Sequence, residues 1–194
     1  MPEPILKYKI CVSGAAETSH CGDEAFGQAE ELGREIIRHG AVLVDGATTG
    51  FPFWAAKGAK LEGGTVVGVS PAGSKQEHIK VFKLPVDYHD IIMYTGHGYS
   101  GRNLLLTRMS DAVVVGCGRM GTLNEFTIAF EDKKPIGILE GKWVTDEVIK
   151  TIIEKSFRGE EMKDRIVYDS DPKILIEKLI SIVSRLEEEN GINK

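Results

Sequence analysis

The stretch Asp111 to Glu125, DAVVVGCGRMGTLNE, decides the fold. Ala112 to Val115 is a short apolar run rich in valine, which suits a buried strand. Gly116, Gly118 and Gly121 follow, then Thr122, with Glu125 one helical turn further on. A buried strand, a tight loop and a helix N-terminus in that order form a phosphate cradle, because the first amides of a helix lack intrahelical partners and attract anions.

On either side of this stretch, apolar runs alternate with helical patterns. Lys9 to Ser13 reads as a strand that ends in the small, polar loop SGAAETS. Asp23 to His39 carries apolar residues at three- and four-residue spacings, with Gly40 as its C-terminal cap. Ala41 to Val44 is a second strand with DGATTG after it, Pro52 to Leu61 a helix, and Thr65 to Val69 a third strand. Ser74 to Asp90 has a weak pattern in which His78 to Leu84 reads as an edge strand or irregular chain.

Asp90 to Tyr94 is the fourth core strand, followed by TGHGYSG and a helix near Arg102 to Met109. Asp111 to Gly116 is the fifth strand and Gly121 to Glu131 its helix. Pro135 to Leu139, Asp146 to Lys155, Arg165 to Tyr168 and Asp171 to Glu189 continue as strand, helix, strand and helix. In the last helix, Ile174, Leu175, Leu179, Ile182, Val183 and Leu186 make one apolar stripe that fits docking on a sheet. Short links between alternating strands and helices imply a parallel sheet with right-handed crossovers. With no repeat or linker, residues 1–194 are expected to form one nucleotide-binding domain.

Composition narrows the function. The 194 residues are 42% hydrophobic and 27% charged with net charge −5, and no lysine/arginine block stands out. Duplex binding usually needs a basic face, so no nucleic-acid partner is expected. No apolar run approaches a membrane span and no signal peptide is evident at the start, so no membrane partner is expected either. Three cysteines, Cys11, Cys21 and Cys117, are an odd, sparse set that suggests free thiols in a reducing compartment, and hence a cytoplasmic protein. His20, Cys21, Cys117 and His97 have no metal-ligand spacing, and no metal site is expected.

In a parallel sheet the loops after the strands gather at one edge, where ligands sit. Here the loops after strands one, two, four and five are each rich in glycine and hydroxyl residues. The expected ligand contacts are Ser13, Gly14, Gly46 and Thr48 from the first two, and Gly118, Arg119, Gly121 and Thr122 from the last. Arg102 and Glu125, each read as lying in the first turn of its helix, would overhang one cleft if strands four and five are neighbours about 5 Å apart. Arginine grips phosphate or orients a sugar, and a facing carboxylate stabilises positive charge or acts as base or nucleophile. Taken alone, Thr122-x-x-Glu125 fits a capping box better than a catalytic site, and Cys117 fits a small filler in the turn.

Gly116 to Gly121 also matches G-x-G-x-x-G, with Glu140 at the end of the next strand, as in an NAD-dependent oxidoreductase. The motif comes late in the chain, and it leaves Thr122, Glu125 and the N-terminal loops without a role, so this is the minority reading.

GRNLLLTRMSDAVVVGCGRMGTLNEF resembles the signature of the Lonely Guy (LOG) family, long labelled "possible lysine decarboxylase". No pyridoxal-phosphate lysine motif supports that label. VSGAAETS, VDGATTG and GTVVGVSP fall where the family has its other nucleotide-facing loops and its third strand. The resemblance implies a Rossmann-like three-layer α/β/α sandwich with a mainly parallel sheet of six or seven strands, and a homodimer.

It also implies a nucleoside 5′-monophosphate phosphoribohydrolase that splits the N-glycosidic bond to give base and ribose 5-phosphate, with no cofactor required. Arg102 and Glu125 would be catalytic, and Gly118, Gly121 and Thr122 would cradle phosphate. The sequence departs from the family in three places. Gly116-Cys117-Gly118 replaces P-G-G, Asn103 replaces a lysine, and DGATTGFP lacks G-L-M. In these it resembles the side branch that includes the molybdenum cofactor carrier proteins. That branch implies a non-catalytic binder of a small phosphorylated nucleotide or pterin-type ligand.

Overall fold

A computed structural model describes residues 7–191. Strands and helices alternate: β1 (Lys9–Ser13), α1 (Glu24–Arg38), β2 (Val42–Asp45), α2 (Phe51–Leu61), β3 (Val66–Ser70), α3 (Lys75–Lys80) and β4 (Ile91–Tyr94). They continue as α4 (Gly98–Met109), β5 (Ala112–Val115), α5 (Met120–Glu131), β6 (Ile136–Leu139), α6 (Thr145–Lys155), β7 (Ile166–Asp169) and α7 (Pro172–Glu189). The seven strands among the described residues are all parallel, in the order β4-β3-β2-β1-β5-β6-β7. The protein is therefore a Rossmann-like α/β sandwich. No helix among the described residues is long and apolar enough to cross a membrane.

Alternation along the central strands builds the two faces. Ile10, Val12, Ala112 and Val114 face a core shared with α1, α2 and α7. Cys11, Val113 and Val115 face the opposite core, with Leu106 of α4, Phe126 and Phe130 of α5 and Ile149 of α6. The four residues of β5 are all buried, as a strand covered on both sides must be. The apolar stripe of α7 docks through Leu175, Leu179 and Val183, and Asp171 caps the helix by accepting from the amides of Lys173 and Ile174.

Strand order reverses between β1 and β5, which pair with Ser13 opposite Val115. The carboxyl ends of these two strands flank the crevice where open α/β sheets bind ligands.

The structure corrects four expectations. First, β4 and β5 are not neighbours. β4 lies at the sheet edge, beyond β3 and β2. α4 crosses back over β3 and β1 to pack on α5, so Arg102 still reaches Glu125. Second, both helices begin earlier than expected. α4 starts at Gly98 and α5 at Met120, which puts Arg102 and Glu125 one turn deeper than the first turn. The glycines in GYSG disfavour helix, but packing overrides that preference.

Third, of the two readings of His78 to Leu84 the edge strand fails: residues 78–80 close a short helix, and 81–84 are irregular chain. Lys75–Lys80 is a short helix, capped by Ser74 Oγ accepting from the Glu77 amide while Glu77 accepts from the Gly73 amide. Buried His78 locks the segment down, its two ring nitrogens each 2.8 Å from an oxygen, Ser70 Oγ and the Pro85 carbonyl. Fourth, the cysteines are not all free thiols. Cys21 and Cys117 form a disulfide with Cα atoms 5.7 Å apart, and only Cys11 is free, buried in the core. The pairing of β1 with β5 draws together loops that are 96 residues apart in sequence. The inference of a reducing compartment loses its basis with this bond.

Candidate functional site

A cavity of about 370 Å³ opens at the switch point between β1 and β5. This is the size of a small-molecule site. The loop after β1 supplies Gly14, Ala15, Ala16 and Glu17, and the loop after β2 supplies Thr48. α4 supplies Tyr99, Arg102 and Asn103; the start of α5 supplies Arg119, Gly121, Thr122 and Glu125.

The inner wall is charged and buried. Arg102 and Glu125 are 6% and 5% exposed, with Arg102 Nη1 3.9 Å from Glu125 Oε1. Ser13, at the end of β1, donates its hydroxyl proton to Glu125 Oε2. Thr122-x-x-Glu125 is thus not a capping box: Glu125 turns inward, and the N-cap of α5, Arg119, makes no side-chain cap. Burial pushes the Glu125 carboxyl above the ordinary glutamate range. Arg102 and the Ser13 hydroxyl oppose that rise, and Asp45 adds to it.

Gly46 acts by its lack of a side chain. A Cβ there would stand 1.5 Å from Arg102 Nη1. The turn that carries Gly46 is fixed by Asp45, whose Oδ1 accepts from the Ala47 amide and lies 2.8 Å from His89 Nε2. Burial alone would hold the His89 imidazole neutral. The Asp45 carboxylate, with the Asp87 carbonyl, outweighs it and raises the His89 pKa above the ordinary value. Tyr99 lies beside Arg102, with the guanidinium carbon 5.9 Å from the ring centroid.

Three buried polar atoms here have no partner among the described residues: Arg102 Nε, Asn103 Oδ1 and Asp45 Oδ2. Two of them belong to residues that line the cavity. The rim is different. Glu17 and Arg119 form a 3.0 Å ion pair, each more than half exposed.

The structure thus places Gly14, Thr48, Arg102, Arg119, Gly121, Thr122 and Glu125 on the cavity. Ser13 and Gly46 stand behind them as supports for Glu125 and Arg102. Gly118 also stands behind, with its amide and carbonyl both engaged by Thr145 Oγ1. Glu140 pairs with Lys150 and does not line the cavity, which leaves the dinucleotide reading without its acid. Glu17, Tyr99 and Asn103 were not singled out as ligand contacts, although SGAAETS and TGHGYSG flag two of the segments that carry them.

A doubly wound parallel sheet with a ligand-sized, arginine-lined cavity at its switch point defines a Rossmann-like protein with a small-molecule site. Family comparison sharpens this: the chain belongs to the SLOG cluster4 family, whose profile matches residues 7–176. A relative in Archaeoglobus fulgidus, an uncharacterized protein, is 34% identical over 132 residues, covering 68% of this chain and 80% of its own. Among solved structures, the molybdenum cofactor binding protein of Rippkaea orientalis is similar at 26% identity with a TM-score of 0.70 over 94% of this chain and 99% of that one. The molybdenum cofactor carrier protein of Chlamydomonas reinhardtii gives 28% and 0.71 over 92% and 99%.

Proposed function

We propose that this protein binds a phosphorylated pterin of the molybdenum cofactor type in the switch-point cavity, holding it as a carrier does. The observation that carries the reading is the cavity wall itself, with Arg102 Nε and Asn103 Oδ1 buried and without a partner among the described residues. A buried polar group left unpaired costs about 1–3 kcal/mol, which a ligand supplying the partner recovers. Arg102 suits a phosphate, and Asn103 Oδ1 suits an amino group or ring N–H such as a pterin offers. Gly121 and Thr122 lie in the first turn of α5, where amides without intrahelical partners favour an anion. Near full-length similarity to two molybdenum cofactor proteins supports the same ligand class.

A second reading keeps the LOG-type hydrolysis, and Glu125 favours it. A buried carboxyl with a raised pKa beside an arginine is equipped for acid–base work at a glycosidic bond. One experiment separates the two. Protein purified without oxygen is examined by native mass spectrometry for bound ligand, then incubated with a panel of nucleoside monophosphates and assayed for free base and ribose 5-phosphate. A retained pterin with no product supports the carrier. Product that disappears in Glu125→Gln supports the hydrolase.

A homodimer belongs to the same proposal. Tyr99, Leu104 and Leu105 of α4 are exposed apolar residues beside the site, and light scattering of the purified protein tests whether two copies associate.

A further inference from the structure

Sequence spacing gives no metal motif among His20, Cys21 and Cys117, yet the fold assembles them. Behind the cavity, where the loops after β1 and β5 meet, their ligating atoms lie within 4.8 Å of one another. His20 turns Nε2 toward the sulfurs, 3.8 Å from Cys21 Sγ and 3.6 Å from Cys117 Sγ, with the Gly118 carbonyl oxygen at 3.4 Å. Its Nδ1 faces Glu17 Oε2 at 3.9 Å. One ring nitrogen on the ligand side and the other toward a carboxylate is how metal-bound histidines are oriented. In a tetrahedral zinc site, Zn–S and Zn–N bonds of about 2.3 and 2.0 Å put nitrogen and sulfur ligands roughly 3.5 Å apart. His20 already stands near that spacing from both sulfurs.

We infer that, once the Cys21–Cys117 bond is reduced, Cys21, Cys117 and His20 form a three-ligand site for Zn²⁺. Reduction by a dithiol such as dithiothreitol transfers two electrons and two protons, giving two protein thiols and the cyclic disulfide of the reagent. The cation then displaces both thiol protons to solvent, and two thiolates balance its charge. Two thiolates and an imidazole select a borderline-soft ion over Mg²⁺ or Ca²⁺. The cysteines are buried and anchor the ion from inside, while the His20 side chain is 33% exposed and leaves the fourth position to water. A separate cavity of about 180 Å³, bounded by Cys21, Asp23, Glu24, Lys142 and Trp143, gives an approach that avoids the ligand cavity. The disulfide and the zinc ion are then alternative clamps across the same two loops, both of which line the ligand cavity.

The test begins with protein reduced by dithiothreitol, desalted under argon and titrated with Zn²⁺ against a chromophoric chelator. The expected result is one zinc held per chain. His20→Asn removes one of the three ligands and should weaken it by more than about 100-fold, since even an outer-shell partner of a ligand is worth about 10- to 100-fold. Cys117→Ser should abolish it, while Cys11→Ser and Arg102→Met should retain it. Co²⁺ in place of Zn²⁺ should give a thiolate-to-metal charge-transfer band that Cys117→Ser lacks. The inference is overturned if reduced protein yields all zinc to the chelator, or if His20→Asn and Cys117→Ser bind like wild type. It is also overturned if alkylation and mass spectrometry show the pair still bonded after dithiothreitol.

Discussion

Two arginine–carboxylate pairs border the same cavity, and they do opposite things. Glu17 and Arg119 at the rim are close, 3.0 Å, but exposed. Arg102 and Glu125 on the inner wall are further apart, 3.9 Å, but almost wholly buried. Exposed pairs contribute about 0–1 kcal/mol because water and salt screen them. Buried charges lose hydration, so each depends on whatever stands next to it. Distance alone would rank the rim pair first, and burial reverses that order. The inner pair is also the one the fold supports on every side, by Ser13 on Glu125, Gly46 against Arg102, and Asp45 and His89 behind Gly46.

The largest expected effect is therefore Arg102→Ala. Removing one partner of a buried pair should cost about 3 kcal/mol in chemical denaturation, against under about 1 kcal/mol for Glu17→Ala. The cost should depend on pH. Glu125 has a raised pKa in the folded protein, and without Arg102 it rises further, so protonation favours the fold. The Arg102→Ala deficit should then shrink as pH falls through that raised value and grow at higher pH. A deficit equal to that of Glu17→Ala at every pH would break the comparison.

Next comes Gly46→Ala. The new Cβ cannot coexist with Arg102 Nη1, so the guanidinium or the turn must shift. A stability loss of about 1–3 kcal/mol is expected from such crowding, with ligand affinity falling alongside it. The same change at Gly27 of α1, whose φ is not left-handed and where a Cβ meets nothing within 4 Å among the described residues, is the control and should cost no stability.

His89→Gln sits lower still. The folded pKa of His89 is raised, so its charged pairing with Asp45 contributes fully below the ordinary histidine value of about 6.5. That contribution is lost as pH rises through the folded value. The melting temperature gap between wild type and His89→Gln should narrow as pH rises from about 6.5 through the raised folded value. A gap that widens with pH would contradict the assignment. Arg119→Ala should be mildest, lowering ligand affinity a few-fold, with the difference vanishing at high salt.

Much of the fold was legible because β5 and its neighbours are buried on both faces and read as continuous apolar runs. The sheet order was not legible. Nothing local in DIIMY says that β4 lies at the edge, and only tertiary packing carries α4 back across the sheet to deliver Arg102. α3 was missed for its length, since six residues are too few for periodicity, although Ser74 and Glu77 carry the capping signal. Counting cysteines failed because Cys11 is a core residue and the other two meet only in three dimensions. Arg102 and Glu125 were found by residue type and strand-loop position. Their depth, and the supporting roles of Ser13 and Gly46, depend on contacts that sequence spacing does not encode.

The central claim is that the inner wall, not the rim, holds a phosphorylated pterin-type ligand. Anaerobic calorimetric titration with molybdenum cofactor tests it on wild type, Arg102→Met and Arg119→Ala. The account predicts saturable binding to wild type, weakened about 100-fold by Arg102→Met, or roughly 2.7 kcal/mol, and only a few-fold by Arg119→Ala. No binding to wild type, or equal losses in the two variants, would contradict it.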